Sequence, residues 1–241
     1  MNILFTNIKE LVQVREISID FLSGKEMNVL PTIKNAFLLV ENGLIADFGT
    51  MENCPKTKFK IIDAEGKMVL PTWCDSHTHL VYADNRENEF EDRINGLSYK
   101  EIADNGGGIL NSAKKLQAVT EKVLYNKSKT RLEEIMHLGT GAVEIKSGYG
   151  LTKEGEIKML RVIKKLRDNY PIEIKATFLG AHAVPNKYIN DKSGYIKILI
   201  DEMLPSIQKE NLADFIDVFC ETDYFSVSDT DQILKAGFKQ G

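Results

Sequence analysis

The sequence predicts an α/β fold: a small N-terminal β-sandwich-like unit over residues 1–63, then about the first four βα units of a TIM-type (β/α) barrel over 64–241. Three observations lead there. Asn42-Gly43 lies between the apolar runs Ala36–Val40 and Leu44–Phe48, a hairpin signal because both turn positions need positive φ. From about Glu65, short apolar runs alternate with longer stretches of helical periodicity, the rhythm of parallel strands joined by crossover helices. Polar and ionisable residues follow each of these runs, as the active rim of such a barrel requires.

Taken in order, Phe59–Ile62 adds a short strand to the N-terminal unit. The first βα unit opens with a strand over Met68–Trp73. One long helical stretch follows, carrying Leu116, Val119, Val123 and Leu124 and then Leu132, Ile135 and Met136. The second pairs Ala142–Ile145 with a helix bearing Met159, Val162, Ile163 and Leu166, whose positive N-terminal end suits Glu154 and Glu156. The third pairs Ile172–Phe178 with a helix striped by Ile196, Leu199, Ile200, Met203, Leu204 and Ile207; Pro205 is expected to kink it. The fourth pairs Phe215–Phe219 with a helix opened by Ser228, with Asp231 as its capping partner.

Composition narrows the function. A chain of 241 residues, 43% hydrophobic and 27% charged, can bury a substantial core. The net charge is −4, with Lys and Arg scattered among Asp and Glu, so no basic face offers itself to nucleic acid or anionic lipid. A small-molecule partner is expected. The three cysteines Cys54, Cys74 and Cys220 form no Cys-x-x-Cys pair, which fits free thiols in a reducing compartment. The N-terminus lacks a basic start followed by a long apolar stretch, and no later run approaches membrane-spanning length, so the expected location is the cytoplasm.

The chemistry concentrates where the strands end. His77 and His79 follow the first strand; in an extended chain alternate side chains point the same way, so both imidazoles can reach one metal ion. Lys146-Ser-Gly-Tyr149-Gly follows the second strand, Gly180-Ala-His182 the third, and Cys220 and Glu221 the fourth. Taken singly, His182 reads as a hydrogen-bonded structural histidine and Tyr149 as a packed aromatic. Their common rim turns both into candidate ligand contacts. Arg86 can grip a carboxylate with its planar fork, or pair with Glu87, Glu89 or Glu91. Gly106–Gly108 either lets backbone approach a ligand or serves as a plain connection. His137, in the last turn of a helix, belongs with the terminal carbonyls. Lys146, Glu221 and the glycine loop receive no assigned role.

Asp75-Ser-His-Thr-His-Leu-Val81, Asn85-Arg-Glu-Asn-Glu-Phe90, Gly106-Gly-Gly-Ile109, Val143-Glu-Ile-Lys-Ser-Gly-Tyr-Gly150, Thr177-Phe-Leu-Gly-Ala-His-Ala-Val-Pro185 and Asp217-Val-Phe-Cys-Glu221 closely resemble the imidazolonepropionases of the amidohydrolase superfamily. The resemblance implies a metal-dependent-hydrolase barrel and hydrolytic ring opening of 4-imidazolone-5-propanoate to N-formimidoyl-L-glutamate in histidine degradation. It implies one divalent metal ion, zinc or iron, activating water, and a homodimer. Carried over, His77 and His79 are metal ligands and Arg86, Tyr149 and His182 are substrate contacts. Arg86 would meet the propionate; Tyr149 and the catalytic His182 would meet the ring or its developing oxyanion.

Members of the family continue past the position matching Gly241, through further βα units with a third histidine ligand, a metal-binding aspartate and the catalytic acid or base. The 241 residues thus resemble the N-terminal portion, expected alone to bind metal weakly and turn over little substrate. Two other readings fit the same residues. One is another amidohydrolase, such as a heterocycle deaminase, which needs the histidine pair but not Arg86. The other is a non-catalytic half-barrel that associates through its open sheet edge.

Overall fold

A computed structural model describes residues 2–15, 17, 19–98, 101 and 107–241 of the chain. It divides into two compact units, Met1–Thr72 and Trp73–Gly241.

The first unit is one sheet of five strands, β1 (Ile3–Val12), β2 (Thr32–Glu41), β3 (Leu44–Thr50), β4 (Lys60–Asp63) and β5 (Met68–Val69). The order is β3-β2-β1-β4, with β5 also paired to β1. The β2–β3 hairpin turns on Asn42 (φ 54°) and Gly43 (φ 82°), the two positive values that Asn-Gly accommodates with least strain. Strand β1, central to the sheet, is absent from the sequence reading. A register shift between Phe5 and Ile8, with Asn7 at φ 52°, breaks the alternation a strand would otherwise display.

The second unit holds an all-parallel sheet, β6 (Trp73–Thr78), β7 (Thr140–Lys146), β8 (Glu173–Ala181) and β9 (Phe215–Val218), in that order. The expected strand over Met68–Trp73 is therefore corrected. Met68 and Val69 pair with β1, Pro71 offers no N–H to a ladder, and the barrel strand begins only at Trp73. As a result His77 lies inside β6 and His79 one residue past it.

One sheet face meets helices. Val143, Ile145, Ile174, Ala176 and Phe178 share a buried cluster with Met159, Leu160, Val162, Ile163 and Leu166. Each larger aliphatic or aromatic side chain so buried is worth about 1.5–3 kcal/mol. The other face carries Glu144, Lys146, Thr177 and Asp217, joined by hydrogen bonds.

After α1 (Glu87–Ile94), the single long helix expected next is two, α2 (Gly108–Ala118) and α3 (Glu121–His137). Thr120 separates them because its side chain accepts the Val123 amide and caps α3. Helix α4 (Lys153–Asn169) is capped likewise by Thr152 on Gly155 N. The third crossover runs α5 (Lys192–Ile198), a π-helical turn over Leu199–Met203, then α6 (Leu204–Glu210). Pro205 sits in the first turn of α6, so the widened turn ahead of it takes up the missing N–H. Helix α7 (Val227–Phe238) starts at a Ser226–Asp229 capping box, two residues before the expected Ser228 and Asp231. Asp231 pairs instead with Lys235 at 2.8 Å. Among the described residues no helix is long and apolar enough to cross a membrane.

Candidate metal and substrate site

Three strand ends bring four aromatic rings together. His77 and His79 meet edge-on with ring centroids 5.8 Å apart. His79 stacks on His182, centroids 5.2 Å and planes 11° apart, and lies 5.1 Å from Tyr149. Tyr149 and His182 are 5.6 Å apart. Phe219, expected only as the last residue of the fourth strand and lying just past the end of β9, meets His182 edge-on at 5.8 Å.

Burial sets the protonation of these rings. The His79 pKa is pushed down to about 4, chiefly by burial and then by the nearby His182, His77 and Lys146. The Ser147 backbone acts the other way, and His79 Nδ1 is buried with no hydrogen-bond partner among the described residues. An unpaired buried nitrogen costs about 1–3 kcal/mol. A neutral imidazole with such an atom has the donor chemistry a divalent ion takes. Burial also lowers His182, against the pull of its contact with the Gly148 carbonyl. His182 Nδ1 lies 3.1 Å from Gly148 O, so that nitrogen carries the hydrogen and donates, and Nε2 keeps its lone pair.

Arg86 and Tyr149 border one cleft of about 350 Å³ together with His79, Tyr82 and Ser112. The ion pair foreseen as the alternative for Arg86 also forms, with Glu89 at 3.5 Å. The second Glu89 oxygen accepts the Gly108 amide at 2.9 Å, tying Arg86 to the start of α2. Gly106 of the Gly106–Gly108 loop lies outside the described residues. A larger hollow of about 660 Å³ beside Lys192, Cys220 and Glu221 has no such ring cluster, so chemistry favours the smaller cleft. Glu221 accepts its neighbour's amide, from Thr222 N at 2.8 Å, and His137 contacts Glu133 O at 2.6 Å as its helix-end position predicts. Among the described residues no three His, Cys, Asp or Glu side chains group to hold a metal ion.

The loop carrying Tyr149 packs hard on α4. A Cβ added to Gly150 would overlap backbone atoms of Gly155 and Glu156, neither of which can swing aside. Gly150→Ala is expected to cost about 2–3 kcal/mol, read as a lower urea midpoint. A midpoint equal to the parent's would contradict this packing.

No family model matches the chain. It is 63% identical over 242 aligned residues to an imidazolonepropionase of Christiangramia forsetii, covering 100% of this chain and 59% of that protein. For the Flavobacterium psychrophilum imidazolonepropionase the figures are 65%, 100% and 59%. For that of Clostridium tetani they are 42%, 97% and 56%. The chain thus spans less than two thirds of the length of these relatives. In fold it resembles guanine deaminase from C. acetobutylicum (TM-score 0.59, 16% identity, 100% of this chain and 51% of that one). It also resembles a triazine hydrolase variant (TM-score 0.60, 12% identity, 99% and 50%). These likenesses show the fold, with the second unit as the opening part of a parallel (β/α) barrel. Over its whole length the chain is thus similar to imidazolonepropionases, at 63% and 65% identity to the two from Christiangramia forsetii and Flavobacterium psychrophilum.

Proposed function

We propose that the enzyme containing these 241 residues hydrolyses 4-imidazolone-5-propanoate to N-formimidoyl-L-glutamate in histidine degradation. What carries this reading is the 63–65% identity, over the whole chain, to proteins called imidazolonepropionase. The ring cluster supplies residues suited to that chemistry. His77 and His79 would hold one divalent ion, zinc or iron; the neutral state and partnerless Nδ1 of His79 fit that role. A bound ion supplies Lewis-acid polarisation of a carbonyl and eases deprotonation of water. His182, its Nδ1–H committed to Gly148 O, turns Nε2 to the substrate ring and can take up a proton there. Tyr149 flanks the same space and positions the ring, while Arg86 binds the propionate in competition with Glu89. We place the enzyme in the cytoplasm as a homodimer, acting on this small molecule and on neither nucleic acid nor membrane.

The test is hydrolysis of 4-imidazolone-5-propanoate, abolished by chelation and restored by zinc or iron(II), with the parent compared to Arg86→Met. Arg86 is 39% exposed in its side chain, so its loss should cost near the low end for a desolvated charge contact, about 2 kcal/mol. That is a roughly 30-fold higher KM with kcat little changed. A heterocycle deaminase would have no use for Arg86. An unchanged KM, or turnover of a neutral heterocycle in preference to the imidazolone, would replace this reading with that one.

A further inference from the structure

Glu156 is the one acidic side chain among the described residues with no exposed surface. It lies in the first turn of α4, where the sequence alone suggests a charge serving the helix dipole. Instead its carboxylate faces the loop that follows β7. One oxygen accepts the amides of Gly150 at 2.8 Å and Leu151 at 2.9 Å, and the other accepts Gly148 at 3.0 Å. The Ser147 side chain bonds it as well, and Ser147 Oγ in turn accepts the amide of Leu179 in β8 at 3.0 Å. The Ser147 hydroxyl is engaged with Leu179 and Glu156, so the buried amides of this glycine-rich turn take their partner from α4. All these contacts use Glu156 as an acceptor.

The held atoms are those that present the substrate contacts. Tyr149 sits between two amides that Glu156 fixes. Gly148 carries the carbonyl that sets the His182 tautomer. We infer that Glu156 is a positioning residue, which through the backbone of residues 147–151 fixes the Tyr149 ring and the hydrogen on His182 Nδ1. The inference rests on the reading of Tyr149 and His182 as substrate contacts. Its structural half stands without it.

Glu156→Gln separates positioning from bulk. One amide oxygen can still serve Gly150 and Leu151, but the NH2 then faces the Gly148 N–H, donor against donor. The expected result in a folded variant is at least about tenfold faster hydrogen exchange at the Gly148 amide and a mixture of His182 tautomers by 15N NMR. In the enzyme, kcat/KM should fall about 10–100-fold with metal content unchanged. Wild-type exchange at Gly148 with a single His182 tautomer in a folded variant overturns the inference. Should the variant fail to fold, the parent decides: through-hydrogen-bond couplings from the Gly148, Gly150 and Leu151 amides to the Glu156 carboxyl carbon support it, and their absence refutes it. A parent that shows these couplings but hydrolyses no imidazolone removes the proposed activity and leaves the loop assignment standing.

Discussion

His79→Ala is expected to weaken divalent-metal binding more than about 100-fold, since even groups that only orient a ligand are worth 10–100-fold. Activity should fall with it. Stability should not. Alanine removes a buried nitrogen that lacks a partner, recovering about 1–3 kcal/mol of desolvation. It also removes ring packing against His182 and Tyr149, worth about 0.5–1.5 kcal/mol per pair. The two nearly offset each other, and each kcal/mol moves the Tm of a domain this size by about 2–4 °C. The metal-free Tm should therefore stay within a few degrees of the parent.

His77→Ala should lose metal equally and change stability less, because His77 is exposed. Chelator competition gives the affinity and calorimetry of the metal-free proteins gives the Tm. Retained affinity in both variants would remove these rings from the metal site. A drop in Tm of 10 °C or more in His79→Ala would assign the ring to packing.

What the sequence made legible was local. The β2–β3 hairpin could be read because Asn42 and Gly43 are adjacent and both take positive φ; the His77–His79 pair, because strand alternation converts spacing into direction. Strand β1 stayed hidden because its bulge erases the period, and the first barrel strand was displaced because one apolar run serves two sheets on either side of Pro71. The cap of α7 was misplaced by two residues, since Ser226 and Ser228 each precede an aspartate at the same spacing. Glu156 reads from the sequence only as a charge suited to the helix dipole, and Lys146 receives no role. Glu156 takes the amides of the loop that precedes its helix, and Lys146 reaches Asp217 across 71 positions. For such groups the useful signal is indirect: a glycine-rich loop poor in acceptors, or a charge at the end of a buried strand, needs a partner from elsewhere in the fold.

Lys146→Met should be the most damaging single change to stability, at about 3 kcal/mol. The Lys146 side chain is 7% exposed and bridges Glu144 at 2.7 Å and Asp217 at 3.0 Å across three strands. Removing one partner from a buried charge cluster strands the others, at about 3–5 kcal/mol. The low end applies because Asp217 is 42% exposed and Glu144 keeps the Thr177 hydroxyl at 2.6 Å. The pH dependence follows from two opposite shifts. Burial alone would lower Lys146, but its hydrogen bonds to Glu144 and Asp217 outweigh it and raise the pKa above 10.5. Its contribution is complete below that value and is lost as pH climbs through the raised one. Burial alone would raise Glu144, but hydrogen bonds from Lys146 and Thr177 bring it below 4.5. That contribution is present above 4.5 and disappears as pH falls through the lowered value. Between these limits the parent should exceed Lys146→Met by the full amount in urea unfolding. As pH falls into the acid range the gap should narrow, because Glu144 protonates and its stranded charge is lost. Adding Glu144→Gln to Lys146→Met should recover part of the loss at neutral pH. A neutral-pH gap under 1 kcal/mol, or one that widens in acid, would mean that the cluster holds no net stabilising charge interaction.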